Sequence, residues 1–196
     1  MEITNINQLD LDKSYTYADY LLWKLKERVE LFKGKVFKMS PAPARIHQKI
    51  LLNLTRVFDV HFRQKPCELY FAPFDVRIPN KDGEIKTVVQ PDLCVICDLS
   101  KLDDKGCLGV PDFIVEILSP GNTKKEMDYK FNIYEEAGVL EYWIVHPSDK
   151  NIQRYVLRDG IFIGLKPASE DQTITSEAFP ELKFEVNEIF EGLEVQ

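Results

Sequence analysis

The chain has 196 residues, of which 44% are hydrophobic and 29% are charged. This length and composition predict one globular domain and exclude a collagen-like chain, a coiled coil and a disordered polypeptide. No uninterrupted apolar run approaches the roughly eighteen residues that a membrane span needs. The N-terminus lacks a basic start followed by an apolar stretch. We therefore expect no membrane span, no signal peptide and a cytoplasmic location.

The net charge of −7 is concentrated at the C-terminal end. Residues 168–196 contain eight acidic residues and a single basic one, Lys183, so the rest of the chain is neutral. A negative protein is a weak candidate for binding nucleic acid. Because the excess of acidic residues lies at one end only, the net charge does not argue against nucleic-acid binding by the rest of the chain.

Three elements are predicted in the N-terminal part. Residues 16–27 have the apolar spacing of a helix, and residues 28–39 predict a hairpin that turns at Lys33 and Gly34. Residues 43–64 predict a long amphipathic helix. The polar side of that helix is basic, which suits contact with a phosphate backbone.

The middle of the chain predicts three strands and a helix. The strands cover 68–78, 88–97 and 111–118, and the last two are rich in apolar and β-branched residues, as in strands buried on both faces. The helix begins at a capping box, Thr123 to Glu126, and ends near Ala137.

The C-terminal part predicts mainly strands, at 141–147, in a hairpin over 151–166, and near 181–186. The order of elements indicates an α/β (α+β) domain with a mixed central sheet flanked by helices, an N-terminal helix and hairpin, and extra C-terminal strands. We divide this single domain, 1–196, into a core over about 28–150 and an acidic β extension over about 151–196.

The four cysteines include one CxxC pair, formed by Cys94 and Cys97. Positions three apart in a strand point to opposite faces, and no second CxxC or suitably spaced histidine pair follows. We therefore expect no zinc or redox site. Four reduced thiols, mostly buried, are the expectation for a reducing cytosol.

Two acidic residues lie inside apolar strands, Asp92 in VVQPDLCVIC and Glu116 in PDFIVEILSP. A buried carboxylate is costly unless it is paired or binds a metal. Two carboxylates on neighbouring strands would suit Mg²⁺, whose bound water can attack a phosphodiester. The simpler alternative is that each acid accepts hydrogen bonds at a sheet end.

Lys130 lies on the helix after the Glu116 strand, at the border of its apolar face. A lysine there could lower the pKa of a metal-bound water or stabilise charge on the phosphorane. It could equally be a surface lysine whose stem covers the core.

These motifs resemble the Uma-type family of bacterial proteins described as restriction endonucleases, within the PD-(D/E)XK nuclease superfamily. The resemblance rests on VVQPDLCVI, PDFIVEILSP and TKKEMDYKFNIYEEAGVLEYWIVHP, and on ERVELFKGKVFKMSPAPARIHQ nearer the N-terminus. It covers about residues 14–190. It implies a restriction-endonuclease-like fold, no organic cofactor and a homodimer.

The resemblance implies metal ligands at Asp92, from the Pro-Asp dipeptide, and at Glu116, with the backbone carbonyl of Ile117 as a third ligand. Leu118 stands where the superfamily pattern has lysine. The resemblance implies that Lys130 replaces it from the next helix, with Lys124 as the alternative.

Three further residues are weaker candidates. His47 and Glu30 match polar positions in the N-terminal part of the family, but His47 could be a half-buried structural histidine and Glu30 an exposed hairpin acid. Asp75 could simply pair with Arg77.

The function that follows is a Mg²⁺- or Mn²⁺-dependent endonuclease acting on DNA. The alternative is a catalytically inactive protein of the same fold that binds nucleic acid or a protein partner. An RNA substrate is not separable from DNA at this level.

Overall fold

The computed structural model describes residues 2–39, 44–121 and 124–193. Thr123 of the predicted capping box lies outside them. The helices are α1 (Tyr17–Tyr20), α2 (Arg45–Phe62), α3 (Lys124–Ala137) and α4 (Asn187–Phe190). None of the helices within these ranges is long and apolar enough to cross a bilayer.

The fifteen strands of the described residues form two large sheets and a small one. In chain order they are β1 (Val29–Phe32), β2 (Lys35–Lys38), β3 (Glu68–Phe71), β4 (Val76–Pro79), β5 (Ile85–Val89), β6 (Leu93–Ile96), β7 (Leu102–Asp103), β8 (Gly106–Leu108), β9 (Phe113–Ile117), β10 (Glu141–His146), β11 (Asn151–Arg158), β12 (Ile161–Gly164), β13 (Ala168–Ser169), β14 (Thr173–Thr175) and β15 (Lys183–Glu185). The predicted α+β class with mixed sheets and flanking helices is confirmed.

The six-stranded sheet has the order β2-β1-β5-β4-β8-β7, and the seven-stranded sheet has the order β12-β11-β10-β9-β6-β3, with β13 paired to β11. The larger sheet is mixed because β9 and β10 run parallel while β6 and β9 run antiparallel. β14 and β15 form the third sheet.

The predicted helix over 16–27 is wrong in length, since α1 covers a single turn. Thr16 caps it by accepting from the Asp19 backbone N–H. The following Leu21 and Leu22 are 49% and 74% exposed. These two leucine side chains do not pack in a core, and a short helix gains most of its stability from such packing.

The predicted strand over 88–97 is two strands in different sheets. β5 ends at Val89 and β6 begins at Leu93, so Gln90, Pro91 and Asp92 link the sheets. Pro91 has no N–H to donate to a ladder, which suits a break at this point. The predicted strand over 68–78 is likewise divided between β3 and β4.

The two faces of β9 carry different environments. Phe113, Val115 and Ile117 belong to the core layer beneath α2, whereas Ile114 belongs to the layer beneath α3. Side chains alternate along a strand, so Glu116 faces the α3 side. This parity decides which helix supplies its partners.

The acidic C-terminal extension is anchored to the core by Glu141, which is fully buried. Its carboxylate accepts hydrogen bonds from the Trp143 indole N–H, the Ser176 hydroxyl and the backbone N–H groups of Glu177 and Ala178. The boundary near residue 150 remains a prediction.

The end of the extension packs on α2 in the same chain. The Asn53 amide donates to the carbonyls of Ile189 and Glu191, and Arg45 donates to the carbonyl of Leu193. Lys65 pairs with Glu181. The basic side of α2, which we expected to be available to a phosphate backbone, is therefore partly engaged by the chain itself.

The prediction of four reduced thiols is wrong, because Cys67 and Cys97 form a disulfide. The antiparallel register pairs Glu68 with Ile96, so the cysteine before β3 lies opposite the cysteine after β6. Cys94 and Cys107 are free and buried. Because Cys67 and Cys97 are 30 residues apart in the sequence, no local pattern indicates that they are close in space.

Candidate functional site

Asp92 is held between the two sheets by contacts to one of its carboxylate oxygens. Its Oδ2 atom accepts the backbone N–H of Ile117 at 2.7 Å and lies 3.1 Å from Nε2 of His47. Burial alone would lower the pKa of His47, but its hydrogen bond to Asp92 and the charge of Asp92 raise it overall. These contacts fix the carboxylate at the C-terminal end of β9.

Glu116 lies one residue earlier on β9 and faces α3. Its Oε1 atom accepts hydrogen bonds from Lys130 Nζ at 2.9 Å and from the Tyr134 hydroxyl at 2.7 Å. The two donors are four residues apart on α3 and so lie on the same face of that helix. Burial, reinforced by the charges of Asp92 and Glu30, raises the pKa of Glu116 to about 7 against the opposing effect of Lys130.

Glu30 adds a third carboxylate from the hairpin. Its Oε1 atom lies 3.3 Å from Lys130 Nζ and accepts the backbone N–H of Gln90 at 2.8 Å. Burial raises the pKa of Glu30, and Lys130 opposes that shift. Lys130 is only 3% exposed. Burial alone would lower its pKa, but Glu116 and Glu30 raise it above its ordinary value.

A second row of polar groups supports Glu30 through Gln90. The Gln90 side-chain amide donates to Asp75 at 2.7 Å and accepts from the Arg28 guanidinium. Asp75 is thus one residue removed from the central cluster. Burial raises its pKa, while the hydrogen bond from Gln90 and the charges of Arg77 and Arg28 act in the opposite direction.

The cluster carries more negative than positive charge. Glu30 and Glu116 contact Lys130, and Asp92 contacts His47, so three carboxylates face one lysine and one histidine. A buried excess of carboxylates is costly without a further cation. Among the described residues, nothing donates to Asp92 Oδ1 or to Glu116 Oε2. Two carboxylate oxygens, one just before β6 and one on the adjacent β9, are thereby left available, and they are the ligand type that Mg²⁺ prefers.

The donor set, which consists of carboxylate oxygens, therefore fits a hard divalent cation. Over residues 2–39, 44–121 and 124–193, no group of three or more His, Cys, Asp or Glu side chains is arranged as a metal site. A cation here would be held by two carboxylates together with backbone or water oxygens, an arrangement common for Mg²⁺.

Comparison with known proteins decides the family. Residues 17–187 match Uma2, a family described as "Putative restriction endonuclease". The chain belongs to the Uma2 family. The match spans both large sheets and all of the residues in the cluster.

Two relatives are informative about this Uma2 chain. It is 26% identical over 179 residues to "Uncharacterized protein slr1290" of Synechocystis sp., covering 89% of this chain and 90% of the relative. It also resembles a crystal structure from Anabaena variabilis described as a putative nuclease belonging to DUF820. The TM-score is 0.68 at 19% identity, with coverage of 90% of this chain and 97% of the other. The second comparison establishes the fold. Membership of the Uma2 family supports a nuclease-type function.

The structure brings most of the predicted site residues of the Uma2 chain into one cluster, formed by Glu30, His47, Asp92, Glu116, Ile117 and Lys130. Lys124 is exposed at the start of α3, and Lys130 is the lysine that contacts Glu116. Because Lys130 is buried, the alternative of a surface lysine does not hold. Glu30 is 2% exposed, so it is not an exposed hairpin acid.

Sequence reasoning missed two residues of this site, Tyr134 and Gln90. Tyr134 lies four positions after Lys130, and that spacing was a usable signal for a second donor to the same carboxylate. Gln90 stands two positions before Asp92, but its side chain and backbone bind acids 15 and 60 residues away. Nothing local in the sequence indicates those contacts.

Proposed function

We propose that this protein is a Mg²⁺- or Mn²⁺-dependent endonuclease that hydrolyses phosphodiester bonds in DNA. The observation that carries the proposal is the convergence of Asp92 and Glu116 beside Lys130, with one carboxylate oxygen of each acid left without a donor among the described residues. Membership of Uma2 supports the same reaction class.

The divalent ion would be held by Asp92, Glu116 and the backbone carbonyl of Ile117. When bound, such an ion polarises a phosphoryl oxygen and lowers the pKa of a coordinated water. The protein's part is to hold the two acids in place. Asp92 is positioned by His47 and the Ile117 N–H, and Glu116 is positioned by Lys130 and Tyr134.

Lys130 would act as a fixed positive charge. Its pKa is raised by Glu116 and Glu30, so it stays protonated and is a poor acceptor for the proton of a water. A protonated ammonium at this position stabilises negative charge that develops on the phosphorane. Glu30 keeps Lys130 charged, and Asp75, through Gln90, supports Glu30 from behind.

The test is calorimetric titration of Mg²⁺ and Mn²⁺, with cleavage of supercoiled DNA measured in parallel. Wild type is compared with Glu116→Gln and with Glu84→Gln, a control at an exposed glutamate in the loop before β5. We expect saturable binding and metal-dependent nicking, both lost in Glu116→Gln and retained in Glu84→Gln.

The other results are equally informative. Metal binding without DNA cleavage would contradict the proposal that DNA is the substrate, and RNA would then be assayed instead. Absence of binding by wild type at millimolar metal would contradict the catalytic proposal and favour a non-catalytic protein that binds nucleic acid or a protein partner. The expected homodimer is tested separately by sedimentation equilibrium.

A further inference from the structure

An aromatic and basic surface lies where α3 meets the β1–β2 hairpin. We call it the α3–hairpin patch and define it as Phe37, Lys124, Lys125 and Tyr129. The ring centroids of Phe37 and Tyr129 are 5.1 Å apart, and Lys125 Nζ lies 5.9 Å from the centroid of each ring. Phe32, fully buried in the hairpin, stacks behind Tyr129 at 6.0 Å. The Tyr129 ring is therefore supported from beneath.

This patch is next to the candidate active site. Phe37 is the cross-strand partner of Glu30, and Tyr129 immediately precedes Lys130 on α3. Glu30 and Lys130 contact each other within the cluster. A ligand bound to Phe37 and Tyr129 would therefore lie beside Glu30 on the hairpin and beside Lys130 on α3.

The patch is open to solvent and positively charged. Tyr129 is 37% exposed, and Lys124 and Lys125 are both exposed. A groove of about 530 Å³ runs along this part of α3 and is also lined by Asp128 and Asn132. Two lysines against one aspartate leave a net positive charge at the groove.

The basic side of α2 is a weaker candidate for holding the substrate. Arg45 binds the Leu193 carbonyl, Arg63 pairs with Asp59, and Lys65 pairs with Glu181. The other basic residues on this side, Lys49 and Arg56, have no ion pair among the described residues. At the α3–hairpin patch, both lysines, Lys124 and Lys125, form no ion pair with a carboxylate of the described residues. Cations without a carboxylate partner are the ones that a phosphate backbone can recruit without breaking an ion pair.

We propose that the α3–hairpin patch binds an unpaired stretch of the DNA substrate. A base would stack on Tyr129, and the lysines would contact the adjoining phosphates. This inference rests on the proposed function and adds to it a preference for single-stranded DNA. An aromatic ring can stack on a base only when that base has left the duplex stack, and this contact is insensitive to sequence.

The test measures binding apart from cleavage. The full chain with Glu116→Gln is titrated in EDTA against a fluorescent single strand of about 12 nucleotides, a length typical of such sites, and against the same sequence as a duplex. We expect tighter binding of the single strand. Tyr129→Leu should weaken it about tenfold and Tyr129→Phe should not, because phenylalanine keeps the stacking ring.

Lys125→Ala should weaken single-strand binding and reduce its salt dependence by about one ion, and Lys105→Ala, an exposed lysine in the turn before β8, should do neither. Lys125 is exposed, so its loss does not threaten folding. Equal affinity for duplex and single strand, or single-strand binding that is unchanged in both Tyr129→Leu and Lys125→Ala, would overturn the inference.

These results separate this inference from the proposed function. If the Tyr129 and Lys125 variants bind single strands more weakly but the wild-type protein does not cleave DNA with either Mg²⁺ or Mn²⁺, the patch is supported and the nuclease is contradicted. Metal-dependent cleavage, with binding that is indifferent to those variants, would support the nuclease and contradict the patch.

Discussion

Lys130 Nζ on α3 donates to Glu116 Oε1 on β9 over 2.9 Å, across a sequence separation of 14 residues. The same ammonium lies 3.3 Å from Glu30 Oε1 on the hairpin. One buried lysine therefore joins both sheets and a helix. The position two residues after Glu116 on the same chain segment is occupied by Leu118, so the positive charge beside Glu116 comes from a different element.

Replacing Lys130 with methionine should destabilise the fold strongly. The substitution keeps the length of the side chain but leaves Glu30 and Glu116 buried without a counter-ion, which costs about 3–5 kcal/mol. Urea unfolding at pH 8 measures the loss. Combining Lys130→Met with Glu30→Gln and Glu116→Gln should recover most of it. An unchanged urea midpoint in the single variant would contradict a charged cluster.

The hydroxyl groups of Tyr134 and Tyr142 form a matched pair for mutation. Both residues are fully buried, and their rings contact each other at 5.1 Å. The Tyr134 hydroxyl donates to Glu116, whereas the Tyr142 hydroxyl has no partner among the described residues.

Tyr134→Phe should therefore lower the free energy of unfolding by about 1–3 kcal/mol, since a charged acceptor loses a buried donor. Tyr142→Phe should be neutral or slightly stabilising. Denaturant titration of the two variants side by side checks this. An equal fall in the free energy of unfolding in both variants would show that the hydrogen bond from Tyr134 to Glu116 does not stabilise the fold.

The pH dependence of stability should reveal Glu116. Its folded-state pKa is raised to about 7, chiefly by burial, so the folded chain holds this proton more tightly than the unfolded chain does. The stabilisation is complete below the unfolded value of about 4.3 and is lost as pH rises through about 7. In EDTA, the stability of wild type relative to Glu116→Gln should fall between pH 5 and pH 8. If the stability of wild type relative to Glu116→Gln rises with pH, the folded-state pKa of Glu116 is not raised.

His47 should act on metal binding by positioning Asp92. Removing a group that orients a metal ligand typically weakens binding about 10–100-fold. His47→Ala should therefore reduce Mg²⁺ affinity by that factor in calorimetry. His61→Ala is the control on the same helix, because its ring contacts Lys65 and no carboxylate of the cluster. Unaltered affinity in His47→Ala would argue that Asp92 is held by the Ile117 N–H alone.

Glu141 should hold the C-terminal extension in place. Glu141→Leu removes the acceptor of the Ser176 hydroxyl and of two backbone N–H groups. Hydrogen bonds to a charged group are worth about 1.5–3 kcal/mol each, so limited proteolysis should cut the segment after β13 much faster than in wild type. Cleavage at wild-type rates would mean that the extension is held mainly by its packing on α2.

Much of this molecule could be predicted from the sequence, because the signals are local. The periodicity of residues 43–64 predicts α2, and the turn at Lys33 and Gly34 predicts the first hairpin. Acids inside apolar runs of the sequence indicate Asp92 and Glu116 as site residues, since a buried carboxylate is costly unless it is paired or binds a metal. The charge asymmetry of the last residues is equally plain.

Only the tertiary structure decided which distant groups meet. The parity of β9 turns Glu116 toward α3, the hairpin brings Glu30 to Lys130, and the β3–β6 register joins Cys67 to Cys97. The division of 88–97 into two strands places Gln90 and Asp92 between the sheets. These pairings depend on strand register and on packing between elements, which local residue patterns do not encode.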